Sequence, residues 1–122
     1  MSKLYNLPDA LTLTTATNHS DLVTGRAGIV NIAETFVQVT TLVSSTGAPT
    51  INLLKGSTTL GTATLAINQA DNTQVFFTPS ATYTNNPNVE FASGDTLSFD
   101  VGDASSSAGV VNCVLAFEQA GS

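Results

Sequence analysis

The sequence predicts an all-β fold: a single antiparallel β-sandwich, jelly-roll-like, with about eight or nine short strands. Three observations carry that expectation. Alternation of period two dominates the chain, as in "TLSFDV" (Leu97, Phe99, Val101) and "VNCVLAF" (Val111, Cys113, Leu115, Phe117). Turn-forming stretches such as "STGAPT", "KGST", "TNNPN", "ASGD" and "GDASSSAG" separate these runs at short intervals. The polar half of the chain is 19 Thr, 12 Ser and 10 Asn, while charged residues reach only 10%. Hydroxyls and amides suit pleated surfaces and turns, whereas surface helices carry Glu, Lys and Arg in quantity. At 122 residues and 42% apolar, the chain has material for one core and is too short for two domains.

Taken in order, the start "MSKLYNLPDALTL" holds Leu4, Tyr5, Leu7, Leu11 and Leu13, too apolar for a free tail. Residues 1–9 are therefore read as an N-terminal arm reaching to a neighbour, and 10–122 as the sandwich. Strands are expected near 10–17, 29–33, 35–44, 50–55, 59–67, 73–78, 88–92, 95–101 and 109–118. In "ETFVQVTTLVS", Val37, Val39 and Val43 share one face while Phe36 and Leu42 take the other, which predicts a strand covered on both sides. "INLLKGSTTLGTATLAI" reads as a hairpin: Gly56 supplies the positive φ of a tight turn, and Gly61 marks a bulge, so Leu60 and Leu65 need not share a face. The four prolines, Pro8, Pro49, Pro79 and Pro87, fall outside strand interiors, as their missing N–H requires. "NLPDALTL" makes at most one helical turn.

Chemistry is scarce. The net charge is −6, and the only cations are Lys3, Lys55 and Arg26, too few to replace the counterions of a nucleic acid or to hold an anionic membrane. No apolar run reaches the ~20 residues that span a bilayer, and no secretory h-region is visible. Cys113 is the single cysteine, which forbids an internal disulfide; its alternation with Val111 and Leu115 makes it a core residue. "NHSDL" sets His19, Ser20 and Asp21 side by side, but neighbours on an extended chain point to opposite sides, so a hydrolase triad is not expected and a loop with a solvated His is. Asp71, Asp95, Asp100 and Asp103 do not supply a calcium loop, and Asp95 is expected to bond within its own turn. Glu90 and Glu118 lie at outward positions and do not make a glycosidase pair. Tyr5 and Tyr83 alone are a poor sugar platform. "KGSTTLG" lacks the spacing of a phosphate loop. No catalytic, cofactor-binding or metal residue is named, no cofactor is expected, and the chain reads as a non-enzyme.

"FASGDTLSFDV" followed by "AGVVNCVLAFE" resembles the C-terminal half of a phage virion β-sandwich, as in small capsid decoration (cement) proteins and head- or tail-fibre modules. "LLKGSTTLGTATL" is similar to their middle hairpin, and the Gly-Asp turn leading into a strand is similar to that of trimeric complement-type and tumour-necrosis-factor-like jelly rolls. The resemblance covers 36–67 and 89–118. It implies a structural protein of the virion, made in the host cytoplasm, that binds the major capsid protein lattice on the outer surface of a phage head as a homotrimer, without nucleic acid or membrane. The candidate oligomer or capsid interface is Leu4, Tyr5, Leu7, Phe36 and Leu42. The alternative expectation is a glycan-binding β-sandwich module of a phage fibre or bacterial surface protein, with a small hydrolase as a residual third.

Overall fold

A computed structural model describes residues 3–6, 11–13, 19–23, 25–43, 48–66, 70–103 and 108–119; at 6, 12, 19–23, 43, 103, 108 and 119 it describes the backbone alone. The strands are β1 (Lys3–Asn6), β2 (Leu11–Thr12), β3 (His19–Val23), β4 (Gly28–Asn31), β5 (Phe36–Val43), β6 (Thr50–Lys55), β7 (Thr58–Thr64), β8 (Gln74–Phe76), β9 (Thr78–Pro79), β10 (Asn88–Phe91), β11 (Thr96–Asp103) and β12 (Ala108–Gln119). They form two antiparallel sheets: sheet A with β1, β2, β4, β5, β8, β10 and β12, and sheet B in the order β3-β11-β6-β7-β9. The expected all-β sandwich is therefore what the chain forms. The helical content described is two single 3₁₀ turns, Ile32–Glu34 and Ala81–Tyr83.

The organising element is β12. Phe117 pairs with both Lys3 and Val30, and Val114 with both Asn6 and Phe36. So β1 and β2 run along one edge of β12, and β4 and β5 along the other, each line broken once. Likewise β8 and β9 are one run that leaves sheet A for sheet B at Phe77, whose buried ring packs at 5.6 Å on Phe99. Counting each broken line once turns twelve segments into nine runs; the expected strands at 29–33 and 35–44 are one such run, and β3 is a run that was not expected.

The break between β4 and β5 has a specific repair. The Ile32–Glu34 turn sends Ile32 into the core and takes the partner strand away from Ala116. The fully buried Thr35 hydroxyl fills the gap: it accepts from the Ala116 N–H at 3.1 Å and donates to the Asn31 carbonyl at 2.8 Å. A buried N–H without a partner costs about 1–3 kcal/mol, so the hydroxyl acts as one rung of the ladder. Asn31 caps the same turn, its Oδ1 accepting from Glu34 N–H at 3.3 Å.

Two bulges keep apolar residues in phase. Val111 pairs with Val39 but Val110 with Thr41, so Thr40 is the extra residue, and Leu42 joins Val37 and Val39 on the core side. This corrects the expectation that Leu42 lies on the second face of its strand. In the hairpin, Leu53 pairs with Gly61 and Leu54 with Thr59, so the bulge falls on Leu60, and Leu60, Ala63 and Leu65 are all buried. Gly61 itself is wedged: a Cβ there would lie 2.7 Å from Ile32 and 2.8 Å from the Thr78 carbonyl. Gly56 turns the hairpin at φ +60, as expected.

Two other expectations change. Residues 3–6, assigned to an arm, pair with β12 of their own sheet. Within "NHSDL", the residues from His19 onward belong to a strand, β3, at the edge of sheet B, rather than to a loop.

The core between the sheets joins Val30, Ile32, Val37, Val39, Leu42, Ile51, Leu53, Phe99, Val111, Cys113 and Leu115, among others. Burial pushes the Cys113 thiol up from 9.0 to about 12, because the thiolate would lose its hydration. Since the neutral form is favoured only in the folded state, this contribution to stability is complete below the thiol's unfolded value and is lost as pH rises from there through about 12.

Two outcomes are expected from urea denaturation. Thr35→Val, which keeps the shape and removes the acceptor, lowers stability by about 1–3 kcal/mol, while Thr35→Ser retains most of it; equal stability of Thr35→Val and the parent chain would show that the rung is dispensable. Cys113→Ser costs about 1–3 kcal/mol through a buried hydroxyl, and the native thiol reacts with a thiol reagent only as fast as the protein opens; labelling at the rate of a free thiol would contradict its burial.

Candidate docking face

The side of sheet A turned away from the core is set by register. Because Val111, Cys113 and Leu115 face inward, Asn112, Val114 and Ala116 face outward. Across the sheet, Asn6, Val114, Phe36 and Phe76 form one row, with Leu4 opposite Ala116 in the next. Phe36 is covered by Phe76, ring centroids 5.2 Å apart and tilted, which leaves Phe36 7% exposed and Phe76 51% exposed. Leu4 is 61% exposed. On the other side of this apolar band lies a row of amides, Gln74, Gln38 and Asn112, and Asn112 Nδ2 donates to Thr40 Oγ1 at 3.4 Å. Neither row contains a charged residue.

The five residues expected at an interface separate. Leu4 and Phe36 lie on this outward side, with Phe36 shielded by its own chain. Tyr5 pairs with Leu115 and so takes the core-facing side at the sheet edge, 38% exposed. Leu42 is a core residue at 7% exposure. Leu7 lies outside the described residues. Phe76 escapes the sequence reading because "TQVFFTPS" presents two adjacent aromatics and nothing in the text says which one turns inward; the sheet change at Phe77 decides it.

The remaining sequence candidates have ordinary places. Asp95 Oδ2 accepts from Ala92 N–H at 2.8 Å and closes its own turn, as expected. Asp71 is exposed in the turn before β8. Glu90 and Glu118 both pair with Ile29, so they lie two strands apart on the outward side of sheet A. Ser20 pairs with Phe99, putting it on the opposite face from His19 and Asp21. An open hollow of about 490 Å³ lies among Gly28, Ile29, Lys55, Glu90, Phe91 and Asp95, where Lys55 Nζ donates to the Glu90 carbonyl at 3.0 Å. Among the described side chains, no three of His, Cys, Asp and Glu gather. No described helix is long and apolar enough to cross a membrane.

What this part of the outward side of sheet A offers is an apolar band and a row of amides with no charged residue in either. Charge depletion and aromatic content are the compositional marks of an interface core. Because Phe76 is half exposed and its ring packs on that of Phe36, Phe76→Ser is expected to cost only about 0.5–1.5 kcal/mol, against about 3–5 kcal/mol for Phe99→Ala in the core. Thermal melts of the two variants would check this, and equal losses would mean that Phe76 is a core residue. No family model, curated protein or solved structure matches the chain.

Proposed function

We propose that this chain is a non-enzymatic virion structural protein, a capsid decoration protein that binds the outer surface of a phage head as a homotrimer and stabilises it. The observation that carries the reading is the pair of uncharged rows on the outward side of sheet A, where Phe76 and Leu4 stand exposed near the Gln74–Gln38–Asn112 row. Burying amides and hydroxyls costs less than burying Lys or Glu, so such a face suits repeated contacts on a lattice. The resemblance of "FASGDTLSFDV…AGVVNCVLAFE" to decoration proteins supports the same reading. Three linked copies would strengthen weak individual contacts, since engaging one raises the local concentration of the others. The rest of the surface keeps the net charge of −6, which discourages aggregation between decorated particles.

A second reading, glycan binding, draws on a specific feature of the same face: an exposed ring next to amide donors and acceptors can stack and hydrogen-bond a sugar.

Co-sedimentation with purified capsids separates the two. Decoration predicts hundreds of copies per particle, saturable, and a loss of at least about tenfold in affinity for Phe76→Ser, as befits a central aromatic anchor. A handful of copies, or binding to a glycan array with none to capsids, would favour the fibre module. A monomer at micromolar concentration in analytical ultracentrifugation would remove the trimer.

A further inference from the structure

The large apolar residues that stand exposed among the described residues, Leu4, Tyr5 and Phe76, all lie on two strands at opposite edges of sheet A, β1 and β8. The backbone of both strands is open as well. Phe77 N–H donates to the Thr35 carbonyl and Val39 N–H to the Thr73 carbonyl, each at 2.9 Å. Positions 73, 75 and 77 therefore bond to β5, and the N–H and C=O groups of Gln74 and Phe76 turn to the free edge. On β12, Ala116 N–H is taken by Thr35 Oγ1, on the β4–β5 side. Leu4, directly opposite Ala116, thus sits at an unbonded pair, and its N–H and C=O turn to the free edge, as do those of Asn6. Among the described residues, none of these groups has a partner.

A bare edge is a template for another strand, and two other edges of this fold are guarded. On β10, Ile32 N–H bonds to the Pro87 carbonyl, so by the same alternation Asn88 and Glu90 turn outward. Asn86 Oδ1 accepts from Asn88 N–H at 3.3 Å, and Lys55 Nζ donates to the Glu90 carbonyl at 3.0 Å. On β9, Ser80 N–H bonds to the Leu60 carbonyl, which puts Pro79, with no N–H to offer, at the outward-turned position. Neither Leu4–Asn6 nor Gln74–Phe76 has such a guard, and neither stretch holds a charge.

We propose that copies of this chain join by pairing β1 of one with β8 of the next, antiparallel, Leu4 opposite Phe76 and Asn6 opposite Gln74. Both pairs then exchange the N–H and C=O groups that the single chain leaves unused. Leu4 and Phe76, both on the outward side, become cross-strand neighbours, while Tyr5 meets the half-buried Val75 on the core side. Strand direction agrees: β1, β12, β5 and β8 alternate, so a second copy in the same orientation presents β1 antiparallel to β8, outward sides matched. The paired edges lengthen the docking face and leave it open. Because the contact uses a different edge of each partner, it repeats head to tail. Closed after three copies it supplies the contact of the homotrimer, but the pairing itself does not rest on the virion reading.

Hydrogen-bonded opposite positions have Cα atoms about 5.5 Å apart, within reach of a disulfide. Within one chain, Leu4 and Phe76 are three strand spacings apart, about 14 Å, too far to bridge. The full chain carrying Leu4→Cys and Phe76→Cys, oxidised with diamide at micromolar concentration, should therefore run as covalent oligomers on a non-reducing gel. A mixture of the two single variants should give the mixed dimer, each single variant alone should stay monomeric, and so should the parent chain, whose Cys113 is buried. Gln74→Pro removes an N–H that the chain's own ladder does not use; it should melt cooperatively yet self-associate at least about tenfold more weakly in analytical ultracentrifugation. No crosslink in the double variant, self-crosslinking of either single variant as fast as the mixed pair, or parental association of Gln74→Pro would each overturn the pairing; the crosslink decides even if Gln74→Pro fails to fold. Crosslinked oligomers that ignore purified capsids would support the pairing and sink only the decoration reading, whereas capsid binding by a double variant that gives no crosslink would do the reverse.

Discussion

The larger sheet depends on pairing one strand, Ala108–Gln119, along both edges while its partners are broken. Where the β4–β5 line steps away into a 3₁₀ turn, the Thr35 hydroxyl takes the Ala116 N–H that would otherwise be orphaned. The same step lets Ile32 enter the core against Gly61, and the Thr35 carbonyl accepts from Phe77 N–H at 2.9 Å, anchoring the residue at which the chain changes sheets. One buried threonine thus ties together the central strand, the interrupted strand and the link between sheets. With those three fixed, the outward rows of sheet A have a defined register.

Much of this was legible in the text of the sequence. Leu97, Phe99 and Val101, and Val111, Cys113 and Leu115, alternate without interruption, and each set is buried as the period requires. The reading failed where the period is broken on purpose. Leu42 looked outward only because Thr40 is an unpaired extra residue, and a bulge on threonine leaves no glycine to announce it. "NHSDL" looked like a loop because its polar His and Asp fall on a solvent-side row, with a serine at the core-side position between them. Short pairings such as Lys3–Asn6 with β12 depend on residues more than a hundred positions away, which local pattern does not encode.

The candidate surfaces divide by sheet. Sheet A turns outward an apolar band and a row of amides; sheet B turns outward Thr62, Asn52, Asp100 and the His19 position, hydroxyl, amide and titratable in character. A sandwich with chemically distinct faces suits a protein that docks by one side and leaves the other to solvent. The sequence reading found Leu4 and Phe36 but not Phe76, since only the switch of sheets at Phe77 reveals which aromatic stays outside.

The central claim, that the outward side of sheet A is the docking face, is tested most directly by hydroxyl-radical footprinting of the capsid-bound protein against the free one. Phe76 and Leu4 should be strongly protected on the particle, while Leu54, on the outer side of sheet B, should react equally in both. Unchanged oxidation of Phe76 together with protection of Leu54 would contradict the account.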